Sequence, residues 1–205
     1  VTPLGRRAML SEQGDRRSAS SGEAADTRIR RMFVFSGTET EIVENGVRYL
    51  VDFENGQKTG FFLDQKRNRR EIASLAAGRT VLDCFTHTGS FALNAAAGGA
   101  EKVTAVDISA SALETARRNA ALNGLEERVE FVQANVFDLL PELAAQGKAP
   151  YDFIILDPPA FTKSRKTVDS AQRGYKEINL RALKLLPRGG YFATASCSHF
   201  MPSEL

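Results

Sequence analysis

The chain has 205 residues, 42% hydrophobic and 25% charged, with a formal net charge of +2. That composition supplies a sizeable core and excludes disorder over the whole length, and no run approaches the roughly 18 uninterrupted apolar residues of a membrane span. Two cysteines and two histidines exclude a disulfide framework and a four-ligand zinc site, so no metal and a reducing, cytoplasmic setting are expected.

Residues 1–31 contribute few large apolar side chains and read as an exposed arm or linker. The next unit, 32–79, opens on a β-rich run from Glu41 to Phe53 with Asn45-Gly46 at its middle. Both residues tolerate the positive φ of a type I′ turn, which predicts a hairpin. An extended piece from Thr59 to Leu63 and a charged helix over about 65–77, closed by Gly78, complete this small antiparallel β unit.

From Thr80 the pattern becomes strand–helix alternation, which sets off 80–205 as a second unit. Short apolar strands are predicted at Val81–Phe85, Val103–Asp107, Val129–Val132, Tyr151–Asp157 and Tyr191–Ala195. Helices fall between them at about 89–98, 109–122, 136–146 and 169–186. Ser109 is placed to cap the second of these, where Glu114 and Arg118 stand at i, i+4. The fold class is therefore α/β, a doubly wound, mostly parallel Rossmann-like sheet.

Charge is unevenly distributed. Segment 58–79 has six basic and two acidic residues, segment 161–188 eight basic and two acidic, and segment 101–160 ten acidic against five basic. Such polarity suits a protein with one face toward a polyanion, although surplus Lys and Arg also simply solvate surfaces.

Ligands of such sheets bind beyond the carboxyl ends of the strands. Strand one ends in Asp83-Cys-Phe-Thr-His-Thr-Gly89, strand two in Asp107, strand three leads to Asn135, and strand four ends in Asp157-Pro-Pro-Ala-Phe161. Asp107 is placed to hold both ribose hydroxyls, or to cap the next helix, and Asn135 to meet an adenine amino edge. Only one glycine stands in 84–94, where a dinucleotide fold would want three, so a nucleoside without phosphates fits, S-adenosylmethionine being the common one. Pro158 and Pro159 stiffen a loop in which Asp157 can bind the amidine edge of a base and Phe161 can stack on its face. Cys197 emerges at the same sheet edge and is a candidate nucleophile for C6 of a pyrimidine, while Cys84 reads as packing.

These residues resemble class I S-adenosylmethionine-dependent methyltransferases. More closely, the chain is similar to the large-subunit ribosomal RNA cytosine-5 methyltransferase I family. The matching text is Gln57 to Gln65, Asn68-Arg69, Val81 to Gly89, Ala105-Val-Asp107, Leu156 to Phe161, Arg173 to Asn179 and Ser196-Cys-Ser198. The resemblance implies formation of 5-methylcytosine in 23S ribosomal RNA, with Cys197 the covalent nucleophile and Asp157 orienting or protonating the ring. It implies cofactor contacts from Gln65, Asp83, Phe85, Thr88, Gly89, Asp107, Ile108, Asn135, Val136 and Asp157. Substrate contacts would come from Pro158, Pro159, Phe161, Lys163, Lys166 and Arg173.

Ribosomal RNA is the expected partner, no membrane is involved, and a homodimer stays open. Lys66 stands where the family more often has Arg, His87 where Tyr is common, and Asn135 where an acid is frequent. The family also carries an N-terminal RNA-binding PUA domain and a final strand pair after the cysteine. The chain therefore reads as a fragment, expected to bind cofactor weakly and turn over poorly. An exocyclic amino methyltransferase and a non-catalytic RNA-binding module remain alternatives.

Overall fold

A computed structural model describes residues 2–3, 38–54, 60–147, 150–161 and 168–197. The arm expected over 1–31 lies outside these residues except for Thr2–Pro3, a two-residue strand (β1) paired antiparallel with the next one. Strands β2 (Glu39–Glu44) and β3 (Val47–Asp52) form the expected hairpin. Asn45 and Gly46 turn it with φ of 54° and 83°, the left-handed pair that a type I′ turn requires.

The extended piece expected to end at Leu63 is not a strand where it is described. Gly60 to Phe62 are irregular and Leu63–Gln65 wind into a single 3-10 turn that feeds helix α1 (Lys66–Leu75). No further strand pairs there because the outer edge of β3 is taken by side chains of a helix, described below.

The second sheet holds β4 (Thr80–Cys84), β5 (Lys102–Asp107), β6 (Val129–Gln133), β7 (Phe153–Leu156) and β8 (Tyr191–Thr194). Its order is β6-β5-β4-β7-β8 with every pairing parallel. Helices α2 (Ser90–Ala97), α3 (Ala110–Leu122), α4 (Val136–Ala145) and α5 (Val168–Leu185) make the crossovers. Among the described residues no helix is long and apolar enough to cross a membrane.

Strand alternation explains the two layers. Val81, Val103, Ala105, Phe153 and Ile155 join one core with α2 and the hairpin residues Ile42, Tyr49 and Val51. Leu82, Cys84, Val106, Ile154 and Leu156 join the other with Leu140 of α4 and Ile178 of α5. Successive residues of a strand point to opposite faces, so a central strand buried on both sides must be apolar throughout. β4 and β7 obey this, with Asp83 as the one buried polar exception in β4. From β4 the chain winds outward to β5 and β6, then returns to place β7 on β4's other side. The carboxyl ends of β4 and β7 therefore flank the switch point, where an open sheet leaves a crevice.

A buried ion pair joins the hairpin to α1. Arg69 of α1 donates through Nε to Glu44 of β2 at 2.6 Å and through a second nitrogen to the Phe62 carbonyl at 2.8 Å. Its guanidinium also lies 4.6 Å from the centroid of Phe61. Both charges are removed from water, which is tolerable only because they neutralise one another. α1 then packs against α2 so closely that a Cβ on Gly98 would come within 2.1 Å of the Ala73 carbonyl oxygen.

One surface expectation fails. Arg118 turns from Glu114 and makes a two-pronged pair with Glu39 of β2, at 2.7 and 2.8 Å, while Glu114 meets Arg117 instead. A forked guanidinium gains more from a carboxylate that presents both oxygens than from a helical neighbour reached side-on.

Candidate functional site

The loop after β4 carries the strongest backbone signal. Phe85, His87 and Gly89 all have positive φ, at 65°, 52° and 83°. An aromatic residue in the left-handed region is a true outlier, and such strain collects where a loop is held in a shape that a ligand needs. The shape is fixed from below: Thr86 donates its hydroxyl to Asp83 at 2.6 Å and the Ala92 N–H donates to the same oxygen at 2.9 Å. It is fixed from the side by the His87 N–H, which donates to Asp107 at 2.8 Å. Gly89 opens α2 at a point where a Cβ would press on Ala116 of α3 at 3.1 Å.

Four carboxylates converge here. Asp83 is fully buried, and its second oxygen has no partner among the described residues. Burial pushes its carboxyl up to about 7, against the Thr86 and Ala92 hydrogen bonds, and the charges of Asp157 and Asp107 add to the rise. Asp157 is also raised, first by burial and then by the charge of Asp64, with Arg69 opposing. Asp64 sits in the 3-10 turn ahead of α1. It was not picked out as a site residue from sequence; its signal was its place in the Leu-Asp-Gln stretch. A site with this charge repels phosphate and suits a ligand that carries fixed positive charge.

The remaining predicted residues divide. Asp107 ends β5 and uses one oxygen on His87 and the other on the Ser109 N–H at 2.9 Å, leaving lone pairs on both. The cap of α3 is Ser109, whose oxygen accepts from the Ala112 N–H. Ile108, next to Asp107, is 68% exposed, an apolar surface available to a flat ring. Thr88 is half-buried beside Gly89, and Gln65 is half-buried in the turn before α1 with its oxygen accepting from Asn68.

Asn135 departs from expectation: its oxygen caps α4 by accepting from the Phe137 N–H, and its amide donates to Asp138 at 2.9 Å. Helix capping competes for the very groups that would read a base. Val136, the first residue of α4, is 2% exposed and belongs to the core cluster against which Phe85 and Phe161 pack.

Phe161 packs against α4 and α5. Its ring lies 4.4 Å from Tyr175 and 5.7 Å from Phe137, over Gly174, where a Cβ would stand 3.2 Å away. The glycine opens a slot in α5 that the ring fills, so the ring forms part of the crevice wall. Lys163 and Lys166 lie outside the described residues. Arg173 is exposed on α5.

Cys197 is exposed just past β8, and its thiol donates to the carbonyl oxygen of Pro158 at 3.8 Å. The sulfur therefore sits against the Asp157-Pro158-Pro159 loop. Cys84 is the opposite case: wholly buried in β4, with burial pushing its thiol well above the ordinary range. A buried thiol held in its neutral form and kept from solvent packs and is a poor nucleophile.

Comparison with known proteins agrees with this geometry. Residues 30–201 match the S-adenosylmethionine-dependent methyltransferase family. A Ribosomal RNA large subunit methyltransferase I of Shewanella amazonensis is 47% identical over 165 residues, covering 80% of this chain and 41% of that protein. The protein of the same name from Aeromonas hydrophila is 47% identical over 177 residues, covering 84% and 44%. Among solved structures, SMU.776, a candidate methyltransferase in complex with SAH, superposes with a TM-score of 0.74 at 31% identity, covering 83% of this chain and 45% of that one. An Agrobacterium tumefaciens SAM-dependent methyltransferase follows at 0.65 and 26% identity, covering 75% and 50%. The chain thus spans less than half the length of the curated relatives it matches.

Proposed function

The chain belongs to the S-adenosylmethionine-dependent methyltransferase family, and on that footing we propose that it serves methylation of C5 of a cytosine in large-subunit ribosomal RNA. The observation that supports the reading is the approach of Cys197, an exposed residue, to the carbonyl of Pro158, the neighbour of Asp157 in the chain. When bound, the cofactor supplies an electrophilic methyl group on a sulfonium.

The residues fit such a cofactor. Asp107 offers free lone pairs to the ribose hydroxyls, exposed Ile108 offers a face to adenine, and the strained Phe85–Gly89 backbone brackets the nucleoside. Asp83 and Asp64 would give the positive end its counter-charge, which leaves Asp157 to serve as an acid.

C5 of cytosine is too weak a nucleophile to take a methyl group unaided. The Cys197 thiolate adds to C6, forming an S–C bond while Asp157 in its acid form protonates N3, and the C5=C6 electron pair becomes available at C5. Burial of Asp157 favours that acid form. After C5 has gained the methyl group it gives up its proton to solvent, the S–C6 bond breaks, N3 returns its proton to Asp157, and the thiolate is restored. The ring must be unstacked to enter, and the exposed cations Arg67 and Arg70 of α1 with Arg173 and Lys176 of α5 suit the flanking phosphates.

Methylation of unmodified ribosomal RNA with labelled cofactor, followed by mass spectrometry of the nucleosides, tests this. Label in 5-methylcytidine supports it. Label on an exocyclic nitrogen moves the assignment to an amino methyltransferase, and RNA binding without transfer moves it to a binding module.

A further inference from the structure

The hairpin and the loop at the switch point share one side chain. Asn119 is fully buried on α3. Its oxygen accepts from the Leu50 N–H of β3 at 2.7 Å, and its amide donates to the Thr88 carbonyl at 3.0 Å. One turn on, the oxygen of Asn123 accepts from the Arg48 N–H at 2.9 Å, and its amide donates back to the Arg48 carbonyl at 2.8 Å. A carboxamide has the donor and acceptor of a peptide group. Positions four apart on a helix rise about 6 Å, close to the roughly 6.8 Å between alternate residues of a strand. Two asparagines thus pair with the outer edge of β3 as a neighbouring strand would, and protect that edge.

The two are not equivalent. Asn123 gives its remaining contact to the carbonyl of Asn119, inside α3. Asn119 gives its own to Thr88, the residue before Gly89. Gly89 in turn rests on Ala116, one turn back on the same face of α3. A loop with left-handed φ at Phe85, His87 and Gly89 keeps that shape only where its surroundings over-determine it.

We propose that Asn119 is a positioning residue through which the docked hairpin sets the affinity of the Phe85–Gly89 loop for the adenosyl cofactor. The proposal rests on the reading that this loop holds that cofactor. Asn119→Asp separates the two contacts, because a carboxylate still accepts from Leu50 but has no N–H for Thr88.

The test is titration calorimetry of S-adenosylhomocysteine into the purified chain and its variants, with hydrogen exchange of the peptide spanning 85–92. Asn119→Asp is expected to weaken binding about tenfold, the scale of one buried hydrogen bond, and to speed exchange in that peptide. Asn123→Ser, which loosens the same docking without touching the loop, is expected to lower the melting temperature while keeping affinity within about twofold of the wild type. Should the buried carboxylate prevent folding, neutral Asn119→Ser takes its place against the matched Asn123→Ser. Equal affinity in wild type and the Asn119 variant, or equal loss in the Asn119 and Asn123 variants, overturns the proposal. Asp107→Asn distinguishes the underlying reading: if it leaves binding unchanged, the loop reading itself is wrong, whereas loss there with none at Asn119 rejects only the positioning role.

Discussion

The sulfur of Cys197 lies 3.8 Å from the carbonyl oxygen of Pro158, so the chain past β8 meets the proline-stiffened loop past β7. The two prolines make this durable, since fixed φ values leave the Asp157 loop few ways to move the carbonyl. Cys197→Ser is therefore expected to cut methyl transfer to RNA by on the order of a thousandfold or more, with S-adenosylhomocysteine affinity unchanged. Cys84→Ser is expected to do the reverse, costing about 1–3 kcal/mol of stability by burying an unpartnered hydroxyl. Transfer assays and calorimetry on the two variants check both statements. A Cys197→Ser protein of full activity would remove sulfur from the mechanism.

Asp83 makes stability fall with rising pH. Its carboxyl is raised to about 7 in the folded chain, chiefly by burial, against about 3.9 when unfolded. Between those values the folded state binds the extra proton. The contribution is fully present below the unfolded value and is lost as pH rises through about 7. The melting temperature of the wild type is expected to drop more steeply than that of Asp83→Asn between pH 5 and pH 8, the difference corresponding to a few kcal/mol at most. Parallel thermal melts across that range decide it, and identical slopes would show that Asp83 is ionised throughout.

The same carboxyl links cofactor charge to protons. A sulfonium placed near Asp83 favours its charged form, so cofactor binding near pH 7 is expected to release protons. S-adenosylhomocysteine, which lacks the sulfonium charge, is expected to release fewer. Calorimetry in buffers of different ionisation enthalpy measures the number directly, and an equal release for both ligands would place the sulfonium away from Asp83.

Much of this was legible because strand ends follow from pattern. The apolar runs around Val81 and Phe153, the Asn45-Gly46 turn and the Ser109 cap each depend on neighbours close in sequence, and the structure places them as read. What was not legible depended on partners far along the chain. Phe161 fills a slot opened by Gly174, Arg118 reaches back to Glu39, and Arg69 neutralises Glu44, none of them a periodic relationship. Asn119 and Asn123 did leave a trace, two amides i, i+4 apart beside the buried Ala116 and Ala120 of α3. A polar residue inside an apolar stripe asks for a partner, but only the fold says which.

Removing half of the buried ion pair is expected to be costly. Arg69→Met leaves Glu44 charged and unpartnered beneath the hairpin and also frees the Phe62 carbonyl. A loss of about 3–5 kcal/mol is expected, read from urea denaturation. Replacing both partners, as Glu44→Gln with Arg69→Met, is expected to recover part of it, because no uncompensated charge remains. Full additivity of the two substitutions would show that the pair is not coupled.

The basic face of α5 governs RNA affinity in the proposed function. Arg173 and Lys176 are exposed on the helix whose buried Tyr175 supports Phe161 and so the crevice wall. Their charges stand near the site without building it. Each contact with a phosphate releases counterions, so its removal lowers affinity and flattens the salt dependence by about one unit of log–log slope. Arg173→Ala and Lys176→Ala are each expected to show that change for ribosomal RNA fragments while leaving S-adenosylhomocysteine binding untouched. A fall in cofactor affinity instead would mean that α5 had shifted the wall, because neither side chain belongs to the proposed cofactor site. An unchanged salt slope in both variants would move the polyanion to the exposed cations of α1, where Arg67→Ala and Arg70→Ala would then carry the loss.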